Sequence, residues 1–331
     1  MLACRLEASV PFHLYKNIMH DRNIARKRFE EARKQAGREQ FAALITGRDN
    51  RVIPFETIRR ELRQQQSIYH GVQNIPLDSI VGSVGRYKEF TRQFLPLSNS
   101  LVERWIGVET LSRATGWPPI ELYQVGRVYF VKDGNHRVSV AKQLNTDTIE
   151  AHVWELPSEA AINPEDDLDN MLIQIGRANF MSQTHLEELY PDHQVRFTSP
   201  GEYSELLAQI EDLRRKLALI DGQEMPYDES VCAWYEMIYL PTVQIIHDST
   251  LMNDFPGRTE ADLFVWLSKH REPLRQQYGD YDNLADLAAL LAKHYKEGTL
   301  QKAARQVRRL LGQEVLPPLA GASSGESEKG S

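Results

Sequence analysis

Apolar residues return at three- and four-residue steps over residues 15–46. Ile18, Ala25, Phe29, Ala32 and Ala36, then Phe41, Leu44 and Ile45, trace an interrupted stripe that predicts a long helix, with Gly47 placed as its stop. A second, short helix is predicted over 54–65 from Phe55, Ile58 and Leu62. The period then changes. Residues 75–81 alternate as a strand and run into Gly82-Ser83-Val84-Gly85-Arg86, a turn expected to lead into a helix over 87–94. An amphipathic helix over 102–115 must end at Gly116 and Pro118-Pro119, because proline cannot continue it. Residues 120–125 and 128–132 flank Gly126-Arg127 as a β-hairpin. The second arm ends in Asp133-Gly134-Asn135-His136-Arg137, after which helical spacing resumes at Val138, Val140, Ala141 and Leu144 and closes near Asn145, a residue that tolerates the left-handed cap conformation. Ile149, Ala151 and Val153 then alternate with Glu150, His152 and Trp154 in a last strand.

Beyond this point the period is helical. Helices are predicted over 172–190 and 200–219, and residues 229–312 read as a bundle in which Pro241 kinks the first helix and Thr259 caps a later one with acids in its first turn. A final basic helix is predicted over 300–311, and residues 317–331, almost without large apolar side chains, are expected to be disordered. The fold class is α+β, with five segments. A helical extension (1–70) precedes a small mixed domain (71–157), a helical connector (158–228), a helical carboxy-terminal domain (229–313) and a tail (314–331).

Charge and composition narrow the chemistry. A formal net charge of -7 argues against coating nucleic acid by bulk attraction, so any such contact must be local. The local candidate is the first helix, whose polar face carries Arg22, Arg26, Lys27, Arg28, Arg33, Lys34 and Arg38. Two distant cysteines, Cys4 and Cys232, suggest neither a disulfide framework nor a cysteine metal site. The acids Glu165, Asp166, Asp167 and Asp169 lack the spacing of an EF-hand loop and read as a charged linker, so no metal site is assigned. His247-Asp248 has no accompanying nucleophile and reads as surface or capping, and Trp234 and Trp266 read as core. No stretch approaches a membrane span or a signal peptide, and the expected location is cytoplasmic.

The junction at 133–137 is the strongest chemical signal. A strand, a glycine turn and a helix start aim unpaired backbone N–H groups outward at the positive end of the helix dipole, and His136 and Arg137 add side-chain donors there. Such a junction is built to hold an anion. Ser83, Gly85 and Arg86 form a second turn after a strand of the same small domain, so a pocket shared with Gly134 is predicted.

The run Val131-Lys132-Asp133-Gly134-Asn135-His136-Arg137-Val138-Ser139-Val140-Ala141-Lys142-Gln143-Leu144 resembles the signature of the ParB/sulfiredoxin superfamily, and Ile75-Pro76-Leu77-Asp78-Ser79-Ile80 looks like the strand that opens such domains. The resemblance covers about a quarter of the chain, residues 73–156. It implies a nucleotide-binding fold whose turn holds phosphates, with Gly134, Asn135, His136 and Arg137 as ligands and Asp133 as a polar group at the site. Two departures bear on chemistry. ParB partition proteins carry a Gly-Glu-Arg-Arg box where this chain has Gly134-Asn135-His136-Arg137, and sulfiredoxins need a cysteine where Asn135 stands. Three readings follow. The first is a nucleotide-binding regulator of bacterial type, DNA-associated through the basic first helix and acting on transcription. The second is a phosphotransferase or nucleotide hydrolase using Asp133 and His136 catalytically, with Arg137 offsetting charge. The third is an interaction scaffold with a vestigial site. The expected cofactor is a nucleoside di- or triphosphate, with Mg²⁺ as its companion, and a homodimer is the expected assembly.

Overall fold

In the computed structural model, which describes residues 12–46, 49–62, 66–249, 251–278 and 280–295, Ala25, Phe29, Ala32 and Ala36 are buried along one side of a single helix, α1 (Phe12–Thr46). The readings for residues 1–11, Gly47, 300–311 and 317–331 lie outside the described residues. The chain divides after Leu168 into two compact units.

In the first unit α1 is followed by β1 (Ile53–Pro54), α2 (Phe55–Glu61), β2 (Ile68–Pro76), β3 (Ile80–Ser83), α3 (Val102–Ala114), β4 (Ile120–Val125), β5 (Val128–Asp133), α4 (Asn135–Gln143) and β6 (Thr148–Glu155). Six strands make one mixed sheet in the order β1-β3-β5-β4-β6-β2. The β1–β3, β3–β5 and β4–β6 pairs are parallel, and β4–β5 and β2–β6 are antiparallel. One face of the sheet supplies Ile120, Leu122, Val131, Ile149, Ala151 and Val153 to a core completed by Phe29 of α1, Trp105 of α3 and Val138 and Ala141 of α4. On the other face Phe55 of α2 stacks on Tyr123, ring centres 4.8 Å apart, and packs against Phe130. The predicted hairpin is β4 and β5, and Asn145 takes the left-handed conformation expected of it, with φ 53°.

Two elements differ from the sequence reading. The strand expected at 75–81 is two strands: Ile75 and Pro76 end β2, a single 3-10 turn covers Leu77–Ser79, and β3 begins at Ile80. Most of β2 lies exposed at the sheet edge, so it shows no alternation to read. The helix expected over 87–94 is absent. Arg86 and Phe94 take positive φ (57° and 58°), and the segment between them is irregular, anchored by the buried rings of Phe90 and Phe94, whose four-residue spacing imitates a helix face.

The first 70 residues, read as an extension, supply both a strand and a packed helix to this unit. Arg22 and Arg26 of α1 donate to Glu103 of α3 at 2.6 and 2.7 Å, and Arg28 reaches the fully buried Glu109 at 2.5 Å. Arg113 of α3 completes the seam with Glu109 and Asp21, both at 3.2 Å.

The second unit contains α5 (Leu168–Thr184), α6 (Leu186–Leu189), α7 (Glu202–Asp221), α8 (Tyr227–Trp234), α9 (Leu240–Asp248), α10 (Glu260–Lys269), α11 (Arg271–Tyr278) and α12 (Leu284–Tyr295). Its own core includes Phe180, Tyr203, Trp234, Tyr239, Phe264 and Leu287. The kink expected at Pro241 takes the form of a π-helical turn over Tyr235–Tyr239, directly before a helix that proline can enter but not continue upstream. The Thr259 hydroxyl accepts from the Asp262 backbone N–H while the Asp262 carboxylate accepts from that of Thr259, which is a capping box. Among the described residues no helix is long and apolar enough to cross a membrane.

Candidate functional site

Strands β3 and β5 are parallel neighbours, so the turns that follow them emerge at the same end of the sheet, outside the strands' carboxyl ends where open sheets commonly place ligands. The two turns are laced together. The Val84 N–H donates to the Val131 carbonyl at 2.9 Å, and the Ser83 hydroxyl is shared between the carbonyls of Val131 and Gly85. The result is a pocket of about 320 Å³ whose wall contains Gly85 and Arg86 from the first turn and Asp133, Gly134, Asn135, His136 and Arg137 from the second. Ser83 is the exception among the predicted site residues. It is buried beneath the wall and spends its hydroxyl on holding the turn.

Gly134 sets the geometry of the second turn. Its φ of 120° is reached by few L residues, and a Cβ there would lie 2.5 Å from the Ile120 side chain. Glycine lets β5 turn directly into α4, whose amino-terminal cap is Gly134 and lacks a side-chain hydrogen bond, so the first N–H groups of the helix remain available at the pocket.

Arg137 is committed within the protein. Its guanidinium donates to Asp133 Oδ2 at 2.5 Å and to the carbonyls of Pro118 and Pro119 at 2.7 and 3.1 Å, with the side chain only 14% exposed. It thereby clamps the turn to the lead-in of β4 and fixes the carboxylate of Asp133. His136 is the opposite case. It is 4% exposed, its ring stands edge-on to Phe90 with centres 5.4 Å apart, and among the described residues neither ring nitrogen has a hydrogen-bond partner. The Asn135 Oδ1 is likewise buried without a partner. Burial, with Arg104 and Arg86 nearby, pushes the His136 imidazole down to about 4, so it is neutral at physiological pH.

The rest of the wall was not legible from the sequence. Arg104, Val108 and Leu111 come from one face of α3, Trp117 and Pro118 from the segment before β4, and Lys132 from the end of β5. The Trp117 ring is fixed by its N–H, which donates to the Val108 carbonyl at 2.9 Å. Lys132 is held by Glu121 at 2.9 Å and lies 4.4 Å from the Trp154 ring centre, and Arg86 is held by Glu89 at 3.0 Å. Arg104 is exposed and, among the described residues, makes no ion pair. A helical period could place Arg104, Val108 and Leu111 on one stripe, but nothing local connects that stripe to a turn some thirty residues later.

Other candidates fall elsewhere. Arg22, Arg26, Arg28 and Arg33 of the basic helix face are spent on α3 and on the segment before it, Arg33 donating to Asn99 and to the Pro96 carbonyl. In the acidic linker, Arg92 donates to the backbone carbonyls of Pro164 and Asp166. His247 contacts Glu260 at 3.2 Å rather than its neighbour Asp248, which accepts from Gln244. No family model matches the chain, and no curated protein does.

Proposed function

We propose that the protein is a nucleotide-binding regulator of ParB/sulfiredoxin-like type, holding phosphates at the Asp133–Arg137 turn. The observation that carries this reading is the set of buried, unpartnered polar atoms in the pocket wall, Asn135 Oδ1 and both ring nitrogens of His136. Leaving such a group unsatisfied costs about 1–3 kcal/mol; a phosphate oxygen offsets it at a ring N–H of His136, and a sugar hydroxyl or base amino group, which donates, offsets it at Asn135 Oδ1. Four cationic side chains and one carboxylate line the pocket, which suits a multiply charged anion. The open start of α4 adds its N–H groups. The immobilised indole of Trp117 offers a flat apolar face for a base, and the volume fits a ligand of nucleotide size. The resemblance of residues 131–144 to a phosphate-holding turn points the same way.

In this reading Arg104 is the available phosphate ligand, and Arg137 shapes the turn and reaches phosphate only by sharing its Asp133 contact. Mg²⁺ would ride on the phosphates, with Asp133 the carboxylate closest to hand. The regulatory part rests on α3, which lines the pocket on one side and is tied to α1 on another, so a ligand that shifts α3 biases α1. Binding of DNA would then go through the basic residues of α1 released from α3.

Calorimetric titration with ATP, ADP, CTP and GTP tests the proposal. At least one should bind, and Arg104→Ala should weaken it about tenfold or more. No binding by any of the four sinks the reading. Phosphate release or transfer that disappears in Asp133→Asn would replace the regulator with the enzyme reading. DNA association requires a mobility shift that weakens steeply with salt and responds to Arg26 and Arg28 substitution.

A further inference from the structure

The His136 ring poses a chemical problem for any anion that enters the pocket. A neutral imidazole has one N–H donor and one bare nitrogen that can only accept. Both nitrogens are buried and unpartnered among the described residues, so no described backbone or side-chain donor satisfies the bare one. An anion brings oxygens that only accept. The bare nitrogen can meet one favourably only after it has taken up a proton.

The charges around the ring explain why that proton is missing beforehand. Arg104 faces it from α3 and Arg86, itself held by Glu89, from the turn after β3. Lys132, paired with Glu121, comes from β5, and Asp133 and Arg137 from the turn into α4. The edge of Phe90 adds no charge. The surroundings are predominantly cationic, which disfavours a further positive charge until an anion offsets them.

We infer that the pocket takes up its anion together with a proton, which comes from solvent and converts His136 to imidazolium, so that occupancy rises as the solution is acidified. This rests on the anion-binding reading above and makes His136 the element that couples ligand level to pH. No bond other than the new N–H forms or breaks. The imidazolium then offers an N–H to the anion, whose charge offsets those of Arg86 and Arg104.

The experiment is titration of the full chain with sulfate, which stays a dianion between about pH 5.5 and 8 and so contributes no proton of its own. The expected result is at least about a tenfold tighter Kd at the acid end, uptake approaching one proton per sulfate in buffers of different ionisation heat, and loss of the pH dependence in His136→Asn but not in Asp133→Asn. Nitrogen chemical shifts of the His136 ring, read in the unmodified protein, should move from the neutral to the imidazolium pattern on adding sulfate at a fixed pH near 6. This second measurement holds even if His136→Asn does not fold. Sulfate binding of equal strength at both ends, or a ring that stays neutral when sulfate is bound, overturns the proton coupling and leaves the anion site standing. A pH dependence abolished by Asp133→Asn instead reassigns the proton and also overturns it. Failure of sulfate and all four nucleotides to bind at either pH removes the anion site and the coupling together.

Discussion

Because burial and two nearby arginines hold the His136 imidazole down to about 4, against about 6.5 in an unfolded chain, the unfolded state binds an extra proton throughout the window between those values. Its contribution to stability is therefore complete above about pH 6.5 and is lost as pH falls toward 4. Urea unfolding should show a loss on the order of 2 kcal/mol between pH 7.5 and 5 attributable to this residue, and His136→Gln should flatten that slope. Two glycines nearby differ in both backbone conformation and surrounding space. Gly134→Ala places a methyl against Ile120 at a φ of 120° and should cost about 2–4 kcal/mol in the same assay. Gly85→Ala meets nothing within 4 Å and should stay within about 1 kcal/mol of the parent, although both residues line the same pocket.

At the scale of elements, the seam between α1 and α3 contains two ion-pair arrangements of different worth. Glu103 is 60% exposed, and removing its partners with Arg22→Ala and Arg26→Ala should change stability by at most about 1 kcal/mol, because solvent replaces what is lost. Glu109 is fully buried, with Arg28 and Arg113 as its ion-pair partners. Arg28→Ala with Arg113→Ala strands that carboxylate and should cost about 3–5 kcal/mol by urea unfolding. Near-equal effects of the two double variants would show that the burial of Glu109 does not govern the seam. The same contrast bears on the basic face of α1. A run of arginines read as a surface for phosphates is, in its first half, the donor side of a helix–helix contact, which explains why charge along a helix is weak evidence for nucleic acid.

For the whole molecule, each compact unit has its own buried cluster, Trp105 and Ile120 within one and Trp234 and Phe264 within the other. Calorimetry should resolve two unfolding transitions. A nucleotide at a hundredfold excess over its Kd should stabilise the transition of the sheet-containing unit by about 2.7 kcal/mol and leave the helical one in place. A shift of the helical unit's transition alone would move the ligand site out of the pocket described above.

The strand–glycine–helix junction was legible in the chain because everything that makes it is local. A β-branched run, a residue free to take positive φ and a helical period follow one another within about a dozen positions, and the same holds for the hairpin, the Asn145 cap and the Thr259 capping box. Where local pattern and tertiary context diverge, the sequence misleads. Exposed edge strand β2 had no buried row to reveal it, and Phe90 and Phe94 are spaced like a helix face but point into the core from an irregular segment. Whether a charge is available was also beyond the sequence. Arg137 and Arg104 are the same residue type, yet one is consumed by Asp133 and two proline carbonyls while the other lines the pocket exposed and, among the described residues, without an ion pair. The sequence by itself determined that an open helix start would lie beside an arginine and a histidine. Only the tertiary structure decided that the histidine is buried and unpartnered and that the second turn, α3 and Trp117 close a pocket around it, because those neighbours are set by parallel strand pairing and helix packing between residues distant in the chain.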